Sequence, residues 1–353
     1  MVADLIATCY TKARALRRTS FLLFGLCIFL LGCSDTVSVL PHVKVAGQTM
    51  GTQYHVTLVA ETDADALKAA FDKRLAEINK VMSTYDPESE LMQINRAPVA
   101  QPLPISDDLA AVLALSLQIY SQTAGGFDVT VGPLVNRWGF GPVEAKGKPD
   151  EAEVATLLAS VGSDALTLEQ ADSGWQLVKH KPVFIDLSAI AKGWAVDELA
   201  GMLVARGYQD FLVEIGGELR VSGKNARGAN WSIAVERPSL AQGGVQAAIG
   251  VSNLAVATSG SYRNYQMYNG VQYSHTIDPS TGQPVTHNMV SITVLADTCA
   301  EADALATGFN VMGPEAALAE AEARGLAVFI LVDEGGEIRE LSSSHFLPYL
   351  SQH

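Results

Sequence analysis

The sequence predicts an α+β fold in which mixed, largely antiparallel sheets pack against helices. Strand-like segments arrive in groups and do not alternate regularly with helices, which is typical of this class. Stripes of apolar residues at helical spacing follow residues that cap helix N-termini. The chain has 353 residues, of which 48% are hydrophobic, and this is enough for one large core or two modest ones.

Residues 1–32 are predicted to be a lipoprotein signal peptide. Four basic residues precede an apolar run over 21–31, which is shorter than a membrane span requires. The run ends in Leu30-Leu31-Gly32-Cys33, which resembles the bacterial lipobox, so we expect Cys33 to be lipidated and residues 33–46 to form a tether. An uncleaved short anchor is the alternative. Both interpretations place the folded part on the periplasmic side of the membrane.

Composition excludes several kinds of protein. Removing residues 1–32, which carry four basic residues and one acidic residue, changes the formal charge from −14 to −17, so nucleic acid is not an expected partner. Cys9 and Cys27 lie in the signal peptide, and Cys33 is the lipidation site. Cys299 therefore has no partner, and no Cys/His cluster has zinc spacing, so neither a disulfide nor zinc is expected.

Capping residues and apolar periodicity predict the elements of the folded part, residues 47–353. Thr62 or Asp63 caps a first helix, which follows a turn at 47–52. Ser106 caps a second helix that ends at Gly125-Gly126. Further helices are expected after Asp150, from about Ala195 to Arg206, over 299–312, and after Pro314, which suits a first helical position. The predicted strands are 54–59, a strand ending at 183–185, 211–215, 231–236, 254–258, 271–277, 290–295 and 327–332.

The stretch 186–197, D-L-S-A-I-A-K-G-W-A-V-D, is predicted to organise the functional site. A buried strand end runs into Asp186, a short loop contains Ala191-Lys192-Gly193, and a helix then continues to Gly207. Unpaired N–H groups and the helix dipole would face the loop and attract an anion, to which Lys192 adds a positive charge. An ordinary strand-to-helix connection with an exposed lysine is the alternative. Walker-type ATP binding is not supported, because the G-x-x-x-x-G-K-[ST] spacing is missing.

Asp303 and Thr307 are candidate ligands for Mg²⁺. They are four residues apart on a predicted helix, so they project from one face and present a carboxylate beside a hydroxyl. Such hard oxygen ligands suit Mg²⁺, which also keeps waters and shares phosphate oxygens. A solvated pair on an exposed face is the alternative, and the spacing alone favours it.

Further candidates lie at predicted strand ends and in loops. His275 could act as a general base near neutral pH, although a lone histidine is more often structural. Gly216-Gly217 would let a ligand approach the backbone closely, or form an ordinary turn. Tyr85 and Phe127 could stack on a flat heterocycle, or belong to the core.

Eight segments together resemble the ApbE family, whose members are FAD:protein FMN transferases and were formerly described as thiamine-biosynthesis lipoproteins. The resemblance covers residues 47–313, and the lipobox agrees with a family of exported lipoproteins. It implies an ApbE-like, T-fold-related architecture, for which two lobes with the flavin site between them remain an option. The segments are T-M-G-T (49–52), M-S-T-Y-D-P-E-S-E (82–90), F-D-V-T-V-G-P-L-V-N (127–136), D-L-S-A-I-A-K-G-W-A-V-D (186–197), E-I-G-G-E (214–218), A-T-S-G-S-Y (257–262), H-T-I-D-P-S-T-G-Q-P (275–284) and A-D-A-L-A-T (302–307).

The resemblance implies a specific reaction. FAD would bind with its pyrophosphate against Mg²⁺, and a threonine of an acceptor protein would attack the FMN-side phosphorus and release AMP. His275 matches the proposed base, and Asp303 and Thr307 match the metal ligands together with the backbone carbonyl of Ala189. The positions that match flavin-nucleotide contacts are Met50, Tyr85, Gly126, Phe127, Asp128, Asp186, Lys192 and Ile277.

This chain departs from some family members at two of these positions. Some have Thr or Ser in place of Ala189, and some have Glu in place of Lys192. The acceptors implied by the resemblance are exported subunits of Na⁺-translocating NADH:quinone reductase or Rnf-type complexes. Two alternatives stay open: an FAD pyrophosphatase that releases FMN and AMP, and a non-catalytic flavin-binding lipoprotein.

Overall fold

The computed structural model describes residues 39–142, 147–237, 244–260 and 264–350. The predicted signal peptide, residues 1–32, and the predicted lipidation site, Cys33, lie outside the described residues. In the part that is described, no helix combines the length and the apolar character that crossing a membrane requires. The folded part from Leu40 onward is one compact unit.

Strands and helices alternate irregularly along the chain, as the sequence predicts. The strands are β1 Val43–Thr49, β2 Thr52–Leu58, β3 Leu103–Pro104, β4 Leu166–Ala171, β5 Gly174–Lys179, β6 Phe211–Ile215, β7 Glu218–Ser222, β8 Trp231–Glu236, β9 Val245–Val251, β10 Leu254–Gly260, β11 Tyr265–Tyr268, β12 Val271–Ser274, β13 Met289–Ala296, β14 Ala327–Asp333 and β15 Ile338–Ser342. The helices are α1 Ala64–Met82, α2 Glu90–Arg96, α3 Asp107–Gln122, α4 Gly132–Arg137, α5 Glu151–Leu158, α6 Ala191–Ala205, α7 Cys299–Met312 and α8 Pro314–Arg324.

One large sheet organises the described residues. Its eight strands lie in the order β1-β2-β6-β7-β10-β13-β14-β15, and neighbouring strands are antiparallel throughout. Three smaller antiparallel sheets accompany it: β3-β5-β4, β8-β9 and β11-β12. The α+β prediction with largely antiparallel sheets is confirmed.

The large sheet is covered on both faces, and β14 shows how. Val328, Ile330 and Val332 belong to the main core, which also holds the buried faces of α1, α3, α6 and α7. Phe329 and Leu331 belong to a second core, which the β8-β9 hairpin covers. Because side chains alternate across a strand, a strand buried on both faces is apolar almost throughout.

A third, smaller core holds α4, α5 and the β11-β12 hairpin together. Its centre is Trp138, which is fully buried and whose indole N–H donates to the carbonyl of Gly282 at 3.0 Å. The hydroxyl of Tyr268 donates to the Trp138 carbonyl at 2.9 Å. This small core fixes the hairpin whose second strand, β12, leads directly into His275.

The helix caps predicted from the sequence are confirmed. Asp63 caps α1 by accepting from two amides, and Ser106 caps α3. Asp150 caps α5 in a reciprocal capping box, and Pro314 lies in the first turn of α8. Helix α3 ends at Gln122, slightly before the predicted Gly125-Gly126.

The segment 183–185 is buried but is not a strand, so that prediction is wrong. The Ile185 N–H donates to Oδ1 of Asn95 at 2.7 Å, and Nδ2 of Asn95 donates to the Ile185 carbonyl at 2.8 Å. This side chain, which comes from α2, satisfies the groups that a neighbouring strand would otherwise pair. The loop predicted at Ala191-Lys192-Gly193 is also wrong, because these residues form the first turn of α6.

Other differences concern boundaries. β1 overlaps the predicted tether, residues 33–46, so the fold begins earlier than expected. The turn predicted at 47–52 is the two-residue turn Met50-Gly51, in which both φ angles are positive, as a tight hairpin requires. The strand predicted at 271–277 ends at Ser274. The elements that were not predicted are α2, α4, β1, β3, β4, β5, β7, β9, β11 and β15.

Candidate functional site

The candidate site is a cavity of about 440 Å³ between the main core and the small third core. A second cavity of about 640 Å³ adjoins it. Thr84, Tyr85, Ser188 and Lys192 line both cavities. The two together offer space for an extended ligand that reaches past Lys192.

The floor of the cavity is formed where the N-terminal ends of α6 and α7 cap each other. The amide of Gly193 on α6 donates to Oδ2 of Asp303 on α7 at 3.1 Å. In return, Asp197 on α6 accepts from the first two amides of α7, those of Cys299 at 3.0 Å and Ala300 at 2.9 Å. Helix ends need such acceptors for their unpaired amides. This reciprocal capping fixes both helix ends against each other.

Asp303 is buried, which contradicts the solvated pair that spacing alone favoured. Burial raises the pKa of its carboxyl to about 7, against the opposing positive charge of Lys192. Oδ2 accepts the Gly193 amide, and Oδ1 has no hydrogen-bond partner among the residues the structure describes. A buried carboxylate of this kind is costly unless a cation or a donor joins it.

The oxygen atoms available as metal ligands around Asp303 suit Mg²⁺. Thr307 lies one turn further along α7 and lines the same cavity, as does Ala189. Across the described ranges, no group of three or more His, Cys, Asp or Glu side chains is arranged to hold a metal. A cation at Asp303 would therefore take its other oxygens from a hydroxyl, a backbone carbonyl and the ligand, which is the usual environment of Mg²⁺.

Lys192 and Glu218 form an ion pair at the same floor. Nζ of Lys192 contacts Oε1 of Glu218, which is 6% exposed. Burial lowers the pKa of Lys192, but the negative charges of Asp303 and Glu218 outweigh this and hold it above its ordinary value. Lys192 therefore stays an ammonium group in the first turn of α6. An anionic ligand would meet this charge and the positive end of the helix dipole, whereas the amides of Ala191 and Gly193 already donate to Leu187 and Asp303.

His275 lines the same cavity and comes directly after β12. Its Nδ1 lies 3.1 Å from the carbonyl of Asn264, which can only accept, so Nδ1 carries the proton in this contact. Nε2 of the neutral ring is then unprotonated. Burial lowers the pKa of His275, helped by the charge of Lys192 and opposed by the Asn264 contact, so the neutral form persists into mildly acidic solution.

The loop from Gly126 to Asp128 forms one wall. A Cβ on Gly126 would lie 2.9 Å from the carbonyl of Gly308 on α7, so glycine is needed for this close approach. The Asp128 carboxylate accepts four hydrogen bonds, from the amides and hydroxyls of Thr130 and Ser163. The Asp128 side chain thus stabilises the loop, and a ligand would contact the backbone of the loop directly.

The structure brings the sequence-predicted residues together. Met50 lines the second cavity, at the positive-φ turn between β1 and β2. Tyr85 is 67% exposed at the rim, whereas Phe127 belongs to the main core while also lining the cavity. The predicted residues that line the first cavity are Tyr85, Gly126, Phe127, Asp128, Asp186, Ala189, Lys192, His275, Ile277, Asp303 and Thr307.

Two residues of this site carry no predicted role. Glu218 lies in the segment E-I-G-G-E, which was noted only for its glycines, and Asp197 ends the stretch 186–197. In both cases the residue was visible within a recognised segment. Its partner was not, because that partner lies on another element of the fold.

Comparison with known proteins agrees with this geometry. The family model described as the ApbE family matches residues 50–330. The FAD:protein FMN transferase of Vibrio cholerae is 42% identical over 331 residues, covering 92% of this chain and 97% of that protein. The FAD:protein FMN transferase of Escherichia coli K12 is 35% identical over 342 residues, covering 94% and 97%.

Solved structures show the same relationship. The flavin transferase ApbE from Vibrio cholerae superposes with a TM-score of 0.81 at 41% identity, covering 88% of this chain and 99% of that one. The ApbE protein from Thermotoga maritima gives a TM-score of 0.79 at 28% identity, covering 88% and 100%. A shared sequence profile, near-complete coverage and a common fold lead to one conclusion: this chain belongs to the ApbE family.

Proposed function

We propose that this chain transfers the FMN part of FAD to a threonine hydroxyl of an acceptor protein and releases AMP. The main support is the buried Asp303 carboxylate, which accepts an amide at the start of α6 and lines one cavity with Lys192 and His275. Phosphoryl-type transfer needs positioning and charge neutralisation more than covalent chemistry by the protein, and this floor provides both. The names of the relatives support the same activity.

We infer that Mg²⁺ takes part, held by Asp303, Thr307 and the backbone carbonyl of Ala189. When bound, Mg²⁺ would neutralise charge on the phosphate oxygens as it develops. The support is chemical: Oδ1 of Asp303 is free of protein donors among the described residues, and the surrounding groups are oxygen donors. A net negative protein can in this way bind an anionic nucleotide, because the ion reverses the local charge.

The chain's own residues divide the remaining work. The positive end of the α6 dipole and the ammonium of Lys192 orient the diphosphate. Nε2 of His275 takes the proton from the acceptor threonine. The threonine oxygen then forms a bond to the FMN-side phosphorus, the bond from that phosphorus to the bridging oxygen breaks, and AMP leaves with that oxygen and the bonding electrons. The products are a phosphoester-linked flavin and AMP.

We further propose a lipid anchor at Cys33 on the periplasmic side of the membrane. The support is the lipobox-like sequence in residues 30–33 after an apolar run. Exported flavin-bearing subunits of Na⁺-translocating NADH:quinone reductase or Rnf-type complexes are the proposed acceptors. Growth with radiolabelled palmitate tests the anchor: label in the protein that Cys33→Ala abolishes supports it, and equal label in both forms contradicts it.

The function is tested with residues 34–353, FAD, Mg²⁺ and an acceptor domain that bears the target threonine. A denaturing gel viewed for flavin fluorescence and an AMP assay run in parallel. A fluorescent acceptor band with equimolar AMP, both abolished by EDTA, is the expected result. AMP and free FMN with a dark acceptor band would indicate hydrolysis, and bound FAD without AMP would indicate a binding protein. Either would overturn the proposal.

A further inference from the structure

Glu218 is a buried carboxylate whose side chain pairs with Lys192. It is the first residue of β7, directly after Gly216-Gly217, and it lines the first cavity. Oε1 contacts the ammonium of Lys192, whereas Oε2 is buried and has no hydrogen-bond partner within the part of the chain that the structure describes. A buried carboxylate oxygen normally finds a donor. The ion pair with Lys192 therefore offsets the cost of burying the Glu218 carboxylate.

Lys192 has a second carboxylate within electrostatic reach. Its neighbour Gly193 donates directly to Asp303, and the charge of Asp303 acts strongly on the lysine. No ion pair joins Lys192 to Asp303, although both are described residues, and the ammonium contacts Glu218. Gly216 lies beside this side chain: a Cβ there would be 3.5 Å from Cδ of Lys192, an ordinary van der Waals distance.

The choice between the two carboxylates matters for the cation. An ammonium paired with Asp303 would occupy the oxygen and supply the charge that Mg²⁺ would otherwise provide. We propose that Glu218 is a positioning residue that holds Lys192 away from Asp303 and so keeps the Asp303 carboxylate available to the cation. This inference rests on the proposed function, in which Mg²⁺ binds at Asp303.

Two consequences follow from this arrangement. Without Glu218, the flexible lysine stem lets the ammonium turn to Asp303, its remaining buried counter-charge. Lysine and cation then compete for one carboxylate, and cation affinity falls. If the lysine is removed as well, the competitor disappears and cation affinity returns. A residue that merely supported the fold would not produce this recovery.

The test compares four forms of the full chain in detergent: wild type, Glu218→Ala, Glu218→Ala with Lys192→Met, and Glu214→Ala. Glu214 is a control for the turn itself, because it accepts the Gly217 amide at 2.7 Å and pairs with His55, but it is not the ion-pair partner of Lys192. Mn²⁺ is the probe, titrated by electron paramagnetic resonance, and each form is checked by thermal unfolding. A crystal structure of Glu218→Ala locates the lysine independently of any metal.

We expect Glu218→Ala to bind Mn²⁺ about tenfold more weakly, roughly 1.4 kcal/mol. The double variant should regain at least wild-type affinity, and Glu214→Ala should match wild type. In the crystal, Nζ of Lys192 should contact Asp303. Unchanged Mn²⁺ affinity in Glu218→Ala, no recovery in the double variant, or a lysine that stays away from Asp303 would each overturn the inference. If wild type binds no Mn²⁺, the metal part of the proposed function fails, and the crystal structure still decides where Glu218 directs the lysine.

Discussion

The backbone amide of Gly193 donates to Oδ2 of Asp303 at 3.1 Å, so a helix end is capped by a candidate metal ligand from the next helix. The contact is possible because α6 and α7 approach closely at this point. A Cβ on residue 193 would lie 2.4 Å from the Cys299 carbonyl and 2.7 Å from Cα of Ala300. Glycine thus allows the Asp303 carboxylate to reach the amide end of α6.

Gly193→Ala should therefore separate the two helices. We expect a loss of about 1–3 kcal/mol in the free energy of unfolding, because the added methyl group would overlap backbone atoms of Cys299 and Ala300, which cannot move aside without shifting α7. Flavin transfer should fall with it, since Asp303 moves. Gly201→Ala on the same helix is the control: apart from the adjoining helix backbone, no atom of the described residues lies within 4 Å of the added Cβ, and the change should stabilise by about 0.5–1 kcal/mol. Denaturant unfolding and the transfer assay measure both; equal effects of the two substitutions would contradict this account.

Asp303→Asn should remove activity and yet stabilise the metal-free protein. Activity should fall at least about 10²-fold, the loss typical of one missing electrostatic stabiliser. The raised pKa means that the folded state keeps a proton that the unfolded state releases, so stability falls as pH rises from about 4 to about 7. Asparagine has no charge to bury, and above pH 7 in EDTA it should be more stable by about 1–3 kcal/mol.

Thermal unfolding of both forms in EDTA at pH 5 and pH 8 checks the stability claim, and the gap should widen at the higher pH. Glu315→Gln, which removes an exposed carboxylate at the start of α8, should change neither activity nor stability appreciably. Full turnover of Asp303→Ala at ordinary Mg²⁺ concentrations would rule out the role given to this carboxylate.

Local signals in the sequence predicted six of the eight helices that the structure describes and missed α2 and α4. Asp63, Ser106 and Asp150 each cap the helix that immediately follows them, so the cause of each helix start lies within a few residues. The segment 183–185 shows where such signals fail. Its apolar character correctly indicates burial, but its backbone partner is the side chain of Asn95, 90 residues away. Periodicity cannot distinguish that arrangement from a strand.

In the candidate site, too, local spacing predicts some features and only the folded structure shows the others. Helical spacing placed Asp303 and Thr307 on one face of α7, and the structure has both lining one cavity. Whether that face is solvated or buried depends on the packing of α6, whose Gly193 lies 110 residues before Asp303 in the chain. Family resemblance supplied the candidate residues, whereas the partners of Asp197 and Glu218 required the folded structure.

Asp197→Ala should weaken both the fold and the site. Its carboxylate accepts from the amides of Cys299 and Ala300 and pairs with Arg220 at 2.7 Å. Loss of such a cap costs about 1–2 kcal/mol, and the start of α7 should shift together with Asp303. We expect activity to need a higher Mg²⁺ concentration for its half-maximal value, and the melting temperature to fall. Asp197→Asn should recover both in part, because asparagine also caps helices.

Asp63→Ala is the matched control for that substitution. Asp63 caps α1 through the amides of Asp65 and Ala66, and it does not line either cavity. It should cost about 1 kcal/mol of stability and leave transfer unchanged. If both substitutions reduce activity in proportion to the stability that they remove, Asp197 has no special part in placing Asp303.

The pH dependence of transfer should report the protonation of His275. Only the neutral ring can accept the threonine proton, so kcat/KM should fall as acid protonates it, with an apparent pKa below the ordinary histidine value because burial disfavours the charged form. The charge of Lys192 acts in the same direction. Lys192→Met should therefore move the fall of kcat/KM at low pH (the acid limb of the profile) to higher pH, whereas Lys73→Met, at an exposed site on α1, should not move it.

His275→Gln should abolish the acid limb of the kcat/KM profile and lower the rate by about 10²–10⁴-fold. Assays at saturating Mg²⁺ from pH 5 to 9 decide the matter: a limb that survives in His275→Gln would assign the proton to another group.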